Sequence, residues 1–270
     1  MPTYRTALIT GASSGLGREF ARHLAAQGSG VCLVARRADQ LAEVAAELSD
    51  RYGVRTEVLP ADLTVREDLD RVEERLADPA RPVDLLVNSA GLFGGSTGPL
   101  ALLDPCEEER KIALNVTALV RLTRAVLPGM VRREHGGVLN VSSVAGFLPA
   151  PGAVTYAASK AFITSFSESL HGEVCSYGVH VTSLCPGSTR TPLHESAGRR
   201  GGRLGPLLEP DAVVREGIAA VAAGRPVCVP GPSYRRKVLL ARSGPRALVR
   251  RSYYKKWGSK AARALAALRG

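Results

Sequence analysis

The stretch "ITGASSGLGREF" (Ile9–Phe20) sets three glycines, Gly11, Gly15 and Gly17, between an apolar run and an amphipathic one. Glycine lets the chain turn through conformations other residues avoid, and lets a second group approach the main chain closely. One glycine suffices for a tight turn. Three point to something large and flat held against the backbone where a helix begins, since unpaired N–H groups and the helix dipole there favour a phosphate. No Gly-Lys-Ser/Thr follows, which excludes a Walker-type phosphate loop. A dinucleotide pyrophosphate is the expected occupant, and a purely structural turn is the other reading.

Outward from this turn, short apolar runs alternate with amphipathic stretches. Strands are predicted at "TALIT" (6–10), "VCLVA" (31–35), "TEVLP" (56–60), "DLLVN" (84–88), "GVLNVSS" (137–143), "VHVTSLC" (179–185) and "PVCVP" (226–230), with helical patterns such as "REFARHLAAQ" between them. Continuous apolar strands separated by helices imply a parallel sheet covered on both faces. The expectation is an α/β fold, a single Rossmann-type doubly wound parallel sheet of about seven strands with helices on both faces. The domain is expected to span 1–230, with a boundary near "VPGPSYRRK", where Pro and Gly precede a basic tail, 231–270.

Composition narrows the setting. The chain has 270 residues, 45% of them hydrophobic, enough for one substantial core. No uninterrupted apolar stretch approaches the roughly 20 residues of a membrane span, and a strand begins by Thr6 without a secretory apolar segment, so the cytoplasm is the expected location. Cys32, Cys106, Cys175, Cys185 and Cys228 form no C-x-x-C pair, and the histidines lack metal-ligand spacing, so buried reduced thiols and no metal are expected. The formal net charge of +11 is local. Residues 231–270 hold twelve Lys and Arg with no Asp or Glu, which leaves −1 on residues 1–230.

Over nearly all of residues 5–230 the chain resembles the short-chain dehydrogenases/reductases. "TGASSGLG" (10–17) matches that family's T-G-x-x-x-G-x-G turn. In the family's order follow "ADL" with Asp62, "NSAG" (88–91), "LN" ending at Asn115, "NVSS" ending at Ser143, "YAASK" (156–160) and "PGSTRT" (186–191). The chain departs from the usual pattern at Ser89, where the family has Asn, and at Thr189, where it has Val or Ile. The resemblance implies a catalytic set of Asn115, Ser143, Tyr156 and Lys160. It also implies a cofactor site built from Gly11, Ser13, Ser14, Gly15, Leu16 and Gly17, from Asp62 and Leu63 near the adenine, and from Asn88, Ala90 and Gly91 beside the adenosine. Pro186, Gly187, Thr189 and Thr191 would lie at the nicotinamide, with Tyr156 and Lys160 also touching the cofactor.

The residue types carry the same chemistry. Tyr156 and Lys160 stand four apart in a helical stretch, so both project from one face. A tyrosine of pKa about 10 is a poor base near neutrality, but an adjacent cation favours the phenolate, which makes Tyr156 a general acid/base. Ser143 ends a predicted strand, where open α/β sheets bind ligands, and its hydroxyl would hold the substrate oxygen; Ser142 beside it can serve as a turn residue. Asn115 interrupts an apolar helix, which requires a partner for its amide, and the resemblance makes it the anchor of a proton-relay water.

Cofactor choice is read after the second strand, in "LVARRADQ". An NAD site places an acid there, whereas here Ala35 is followed by Arg36 and Arg37, which suit a 2'-phosphate, so NADP(H) is expected over NAD(H). The segment 193–210, with Arg199, Arg200 and Arg203, reads as a lid. Phe93, Phe147 and Leu148 are expected to form an apolar wall for a hydrophobic carbonyl or secondary alcohol. The expected activity is NADP(H)-dependent hydride transfer to or from such a small molecule. A membrane-surface lipid (ketoacyl or sterol-like) reductase and a non-catalytic NADP(H) sensor or scaffold are the alternatives.

The chain is expected to form a homo-oligomer. In its tail, a helical wheel puts Tyr253, Tyr254, Trp257, Ala261, Ala264, Leu265 and Leu268 on one side and Lys255, Lys256, Lys260, Arg263 and Arg269 around them, a pattern suited to peripheral contact with an anionic membrane surface. A helix docked on a second subunit and a solvated extension are the other readings. Nucleic acid is not an expected partner, because no recognised binding fold accompanies the charge.

Overall fold

The computed structural model describes residues 4–93, 97–192 and 205–245, and positions 247, 251, 253, 254 and 263–266 beyond them. Seven strands form one parallel sheet: β1 Thr6–Thr10, β2 Gly30–Ala35, β3 Thr56–Pro60, β4 Leu85–Asn88, β5 Gly136–Val141, β6 Val179–Leu184 and β7 Val227–Cys228. Their order is β3-β2-β1-β4-β5-β6-β7. The chain therefore builds outward from β1 in one direction and then, from β4, in the other. At that reversal the connections leave on opposite sides and open a crevice at the carboxyl ends of the strands.

Alternate residues of each strand face opposite layers. Ile9, Leu33, Val87 and Leu139 pack with Phe20 and Leu24 of α1 (Gly15–Ala26), Leu41 and Leu48 of α2 (Ala38–Tyr52), and the helix Pro210–Ala222, here α7. On the other face Leu8, Val34, Leu86 and Val138 meet α3 (Arg66–Ala77), α5 (Leu119–Arg132) and Leu170 of α6 (Val154–Val174). In α1 the buried residues Gly17, Phe20, Ala21, Leu24 and Ala25 follow the helical period, so one stripe meets the sheet. Burial of Phe20 alone is worth about 2 kcal/mol.

Several strand ends lie a residue or two from the sequence expectation, and β5 and β7 differ most. β5 stops at Val141 because Ser142 turns inward, its Oγ donating to the Lys160 carbonyl at 2.7 Å. β7 pairs only over Val227–Cys228; it is an edge strand between Pro226 and Pro230, which have no N–H to donate. Of the five cysteines, Cys32, Cys185 and Cys228 are buried as expected, whereas Cys106 and Cys175 are exposed.

The helix α4 (Pro105–Ile112) runs through a π turn, Ala113–Ala118, into α5. The resulting span Pro105–Arg132 is 28 residues long and contains an 18-residue window of mean hydropathy 1.2, enough by length and composition to cross a bilayer, a test that the core helix of a folded domain also passes. Between Ile112 and Val131 its charged residues are Arg121 and Arg124, and Asn115 also breaks the apolar run, so no uninterrupted apolar stretch of membrane-spanning length is present, as expected. It packs on the domain, with Leu122, Val126 and Met130 in the core and Arg121 paired to Asp70 and Glu73 of α3.

Structure continues past the boundary expected at 230. Helix α8 (Pro232–Ser243) buries Tyr234 and Val238 against Val144, so the packed body continues into the basic segment. Of the amphipathic face expected farther on, Tyr254 is exposed while Tyr253, Ala264 and Leu265 are half-buried; Trp257, Ala261, Leu268 and the intervening lysines lie outside the described residues.

A Cβ on Gly17 would collide with the Gly11 carbonyl oxygen, whereas one on exposed Gly172 in α6 meets nothing within 4 Å. Gly17→Ala is therefore expected to destabilise the protein by more than about 2 kcal/mol in urea titrations, while Gly172→Ala should be neutral or stabilising by about 0.5–1 kcal/mol.

Candidate active site

The three glycines of the turn do different work. Gly11 has φ +69°, and a Cβ there would stand 3.0 Å from the main chain of Ala90. Gly17 admits the Gly11 carbonyl. Both serve backbone packing within the protein. Gly15, at φ +56°, faces across the crevice to Thr191, 3.6 Å from a Cβ built on it. Leu16 packs against the core. Ser14 precedes α1 in an extended conformation without a side-chain cap, and no acidic residue stands in the helix's first turn. The positive end of α1 is thus left for an anion.

Thr10, which the sequence reading left without a role, ties β1 to β4: its Oγ1 accepts from Ser89 N at 3.0 Å and Ala90 N at 2.9 Å. The only signal for it was its place at the strand end inside the turn motif.

At the end of β2, Arg37 donates to Ser13 Oγ of the turn at 3.3 Å, while Arg36 is 3.9 Å from Asp62 Oδ2, beyond β3. The other oxygen of Asp62 accepts from the Thr64 N–H and hydroxyl at 3.0 and 2.7 Å. Leu63 is in the core, which leaves only its backbone for a ligand. Asn88 is also drawn inward. Its amide donates to Asn140 Oδ1 at 2.9 Å and Thr123 Oγ1 at 3.1 Å, so both its side-chain hydrogens hold β4 to its neighbours.

Around Gly91 the four residues with catalytic chemistry begin to converge. A Cβ on Gly91 would lie 3.4 Å from Asn115 Oδ1 and 3.5 Å from Lys160 Nζ. Asn115, buried in the π turn, accepts from Leu92 N at 2.8 Å and donates to Leu92 O at 2.9 Å and Ser159 Oγ at 3.2 Å. A π turn breaks the α-helical ladder and recurs at functional sites. Here it aims an amide that clamps the Gly91–Leu92 loop onto α6.

Lys160 is 6% exposed, and its ammonium donates to Val141 O at 2.8 Å. Burial pushes it down to about 8. Nζ lies 5.7 Å from the centroid of the Tyr156 ring, and Phe93 meets that ring edge-on at 4.6 Å. The two serines divide as follows. Ser142 is locked between Lys160 O and Thr164, whereas half-buried Ser143 heads the next turn, its Oγ accepting from Ala145 N at 3.1 Å and its O–H left to donate. A phenol beside a desolvated cation, with a hydroxyl on the neighbouring strand end, can bind a carbonyl oxygen and pass it a proton.

The loop after β6 crosses in front. Pro186 O accepts from Val144 N at 3.1 Å, Thr189 Oγ1 donates to Gly187 O at 3.1 Å, and Thr191 Oγ1 donates to Thr189 O at 3.4 Å. Thr189 is buried in the loop's own packing. Of the expected apolar wall, Phe93 stands at Tyr156, but Phe147 packs towards Tyr234 and Val238, with the Arg242 guanidinium 5.7 Å from its ring. Leu148 is half-buried. Arg199, Arg200 and Arg203 lie outside the described residues.

Comparison with known proteins agrees with this geometry. A family model described as short chain dehydrogenase matches residues 5–200. The chain is 38% identical over 185 residues to a very-long-chain 3-oxoacyl-CoA reductase of Anas platyrhynchos, a match covering 67% of this chain but only 58% of that relative's length. Among solved structures, a short-chain dehydrogenase from Sphingobium yanoikuyae in complex with NADPH superposes with a TM-score of 0.80 at 38% identity, covering 90% of this chain and 94% of that one. A bulky-bulky ketone specific alcohol dehydrogenase from Comamonas testosteroni gives 0.76 at 30% identity, covering 89% and 92%. With its turn, sheet order and Tyr156–Lys160 pair in the same arrangement, the chain belongs to the short-chain dehydrogenase family of oxidoreductases.

Proposed function

We propose that the protein is an NADP(H)-dependent oxidoreductase acting on a hydrophobic carbonyl or the corresponding secondary alcohol. The observation that carries this reading is the buried Lys160 ammonium beside Tyr156, at the carboxyl ends of β4 and β5. A sensor would need only the nucleotide contacts, whereas the Ser143 hydroxyl and the Tyr156 phenol beside that cation add groups suited to a carbonyl oxygen.

The residues present fit a phosphorylated dinucleotide. The uncapped N-terminus of α1 suits the pyrophosphate, and Arg36 and Arg37 suit a 2'-phosphate where no carboxylate follows β2. Lys160 would hold the ribose hydroxyls, and the Pro186–Thr191 loop would hold the nicotinamide end. NADP(H), when bound, supplies or takes the hydride. Ser143 then holds the substrate oxygen through its O–H. Tyr156 gives that oxygen a proton in reduction and accepts one in oxidation, with Lys160 favouring the phenolate. Asn115 keeps Gly91–Leu92 and α6 in register, and its π turn is the place for the relay water.

For the substrate, a 3-oxoacyl thioester and bulky ketones are the classes that the relatives' activities suggest, and Phe93 at Tyr156 supports an apolar group next to the carbonyl. A lipid-surface form of the reading draws support from α8, which exposes Leu239 and Leu240 beside Arg236 and Lys237. A second copy of the chain is the natural cover for exposed Ile112 and Phe162.

Tyr156→Phe removes the transferable proton and keeps the ring. Turnover of 3-oxoacyl thioesters or bulky ketones, followed by NADPH consumption, is expected to fall by about a thousandfold or more, with NADPH binding retained. Wild-type turnover in this variant would refute the acid/base assignment.

Cofactor choice is tested by Ala35→Asp with Arg36→Ala and, separately, by Arg37→Ala. The double variant places a carboxylate near the 2'-phosphate, so the NADPH-to-NADH ratio of kcat/KM is expected to fall by about a hundredfold, and in Arg37→Ala by about tenfold. Unchanged ratios would mean that these arginines do not meet the ribose.

A further inference from the structure

Tyr234 belongs to the basic segment beyond the last strand, yet it is fully buried and, among the described residues, the bulkiest side chain that is. A Cβ on Gly187 would collide with its ring, and one on Gly205 would come within 2.9 Å of Cζ. The ring is therefore held between two glycines, one in the stretch Pro186–Thr191 and one in the stretch Gly205–Leu208. Its hydroxyl joins the same two stretches: it accepts from Ser188 N at 3.1 Å and donates to Pro206 O at 2.9 Å. Beyond it the two stretches pair directly, Leu208 N donating to Ser188 O at 2.8 Å and Arg190 N to Leu208 O at 3.0 Å.

The clasped loop reaches both halves of the site. Its Pro186 carbonyl accepts from Val144 N, next to Ser143, and its Thr191 lies against Gly15 of the phosphate-facing turn. A shift of the loop's backbone would be felt at both places.

We propose that Tyr234 is a positioning residue for the cofactor. Through its hydroxyl it fixes the Pro186–Thr191 loop, and so makes NADP(H) affinity depend on helix α8. The proposal rests on the reading of that loop as the nicotinamide-facing one. Phenylalanine would keep the ring between the glycines but strip the partner from one buried N–H and one carbonyl at once, and groups left so relax toward other partners.

The test uses the full chain, with NADPH binding followed by nucleotide fluorescence and by KM. Tyr234→Phe is expected to raise the Kd and KM for NADPH about five- to tenfold, as loss of about one net hydrogen bond implies, while kcat at saturating NADPH changes less than twofold. Val238→Ala, which thins the same helix contact without touching the hydroxyl, should lower the unfolding midpoint and leave the NADPH Kd alone. Two results overturn the proposal by itself: wild-type NADPH affinity in Tyr234→Phe, whatever its stability, or an equal loss of affinity in Val238→Ala. Failure of the wild-type chain to bind NADPH or NADH overturns the cofactor reading and this proposal with it.

Discussion

A lysine ammonium buried in the protein interior, held by one main-chain carbonyl, is the constraint around which this site is organised. Removal from water pushes Lys160 down to about 8 from 10.5, a shift equivalent to roughly 3 kcal/mol. The sign follows from proton linkage. The folded chain binds fewer protons at this group than the unfolded chain, so the burial costs stability at neutral pH, and the cost fades as pH rises through about 8 towards 10.5. Much of the neighbouring structure keeps that group in place. Val141 ends β5 with its carbonyl on Nζ, Ser142 takes the carbonyl of Lys160 itself, and Gly91 has no side chain to intrude.

The same economy runs through the crevice at the sheet's reversal. Thr10 and Gly11 bring the end of β1 against Ala90, which sets where the β4 loop runs. Asn115 then grips Leu92 and Ser159 together, which joins that loop to the helix carrying Tyr156 and Lys160. The loop after β6 closes the circuit from Ser143's turn to Gly15. The glycine turn and the Tyr156–Lys160 pair are thus joined by a continuous set of backbone and side-chain contacts.

Much of this was legible in the sequence because it depends on local pattern. Strands buried on both faces read as unbroken apolar runs, and Tyr156 and Lys160 share a face because helices repeat every 3.6 residues. What escaped depends on register and on packing at a distance. Asn88 and Asn140 are 52 residues apart and meet only because they are register partners on adjacent strands, so the structural work of the Asn88 side chain could not be read locally. Gly11 and Gly17 look like ligand-facing glycines until the backbones that approach them are seen. Tyr234, set among cations after Pro and Gly, carries every mark of a solvated tail, and nothing local reveals that two glycines 18 residues apart, Gly187 and Gly205, leave room for its ring.

The central claim is that Lys160 is a desolvated cation poised to titrate near neutrality, and it can be measured at the group itself. In protein labelled with 15N only at lysine, the Nζ resonances followed from pH 6 to 11 should show one lysine titrating at about 8, absent from Lys160→Met. If every lysine titrates near 10.5 and the Lys160→Met spectrum lacks only one of these, the ammonium is not desolvated and the account of how Tyr156 is tuned is wrong.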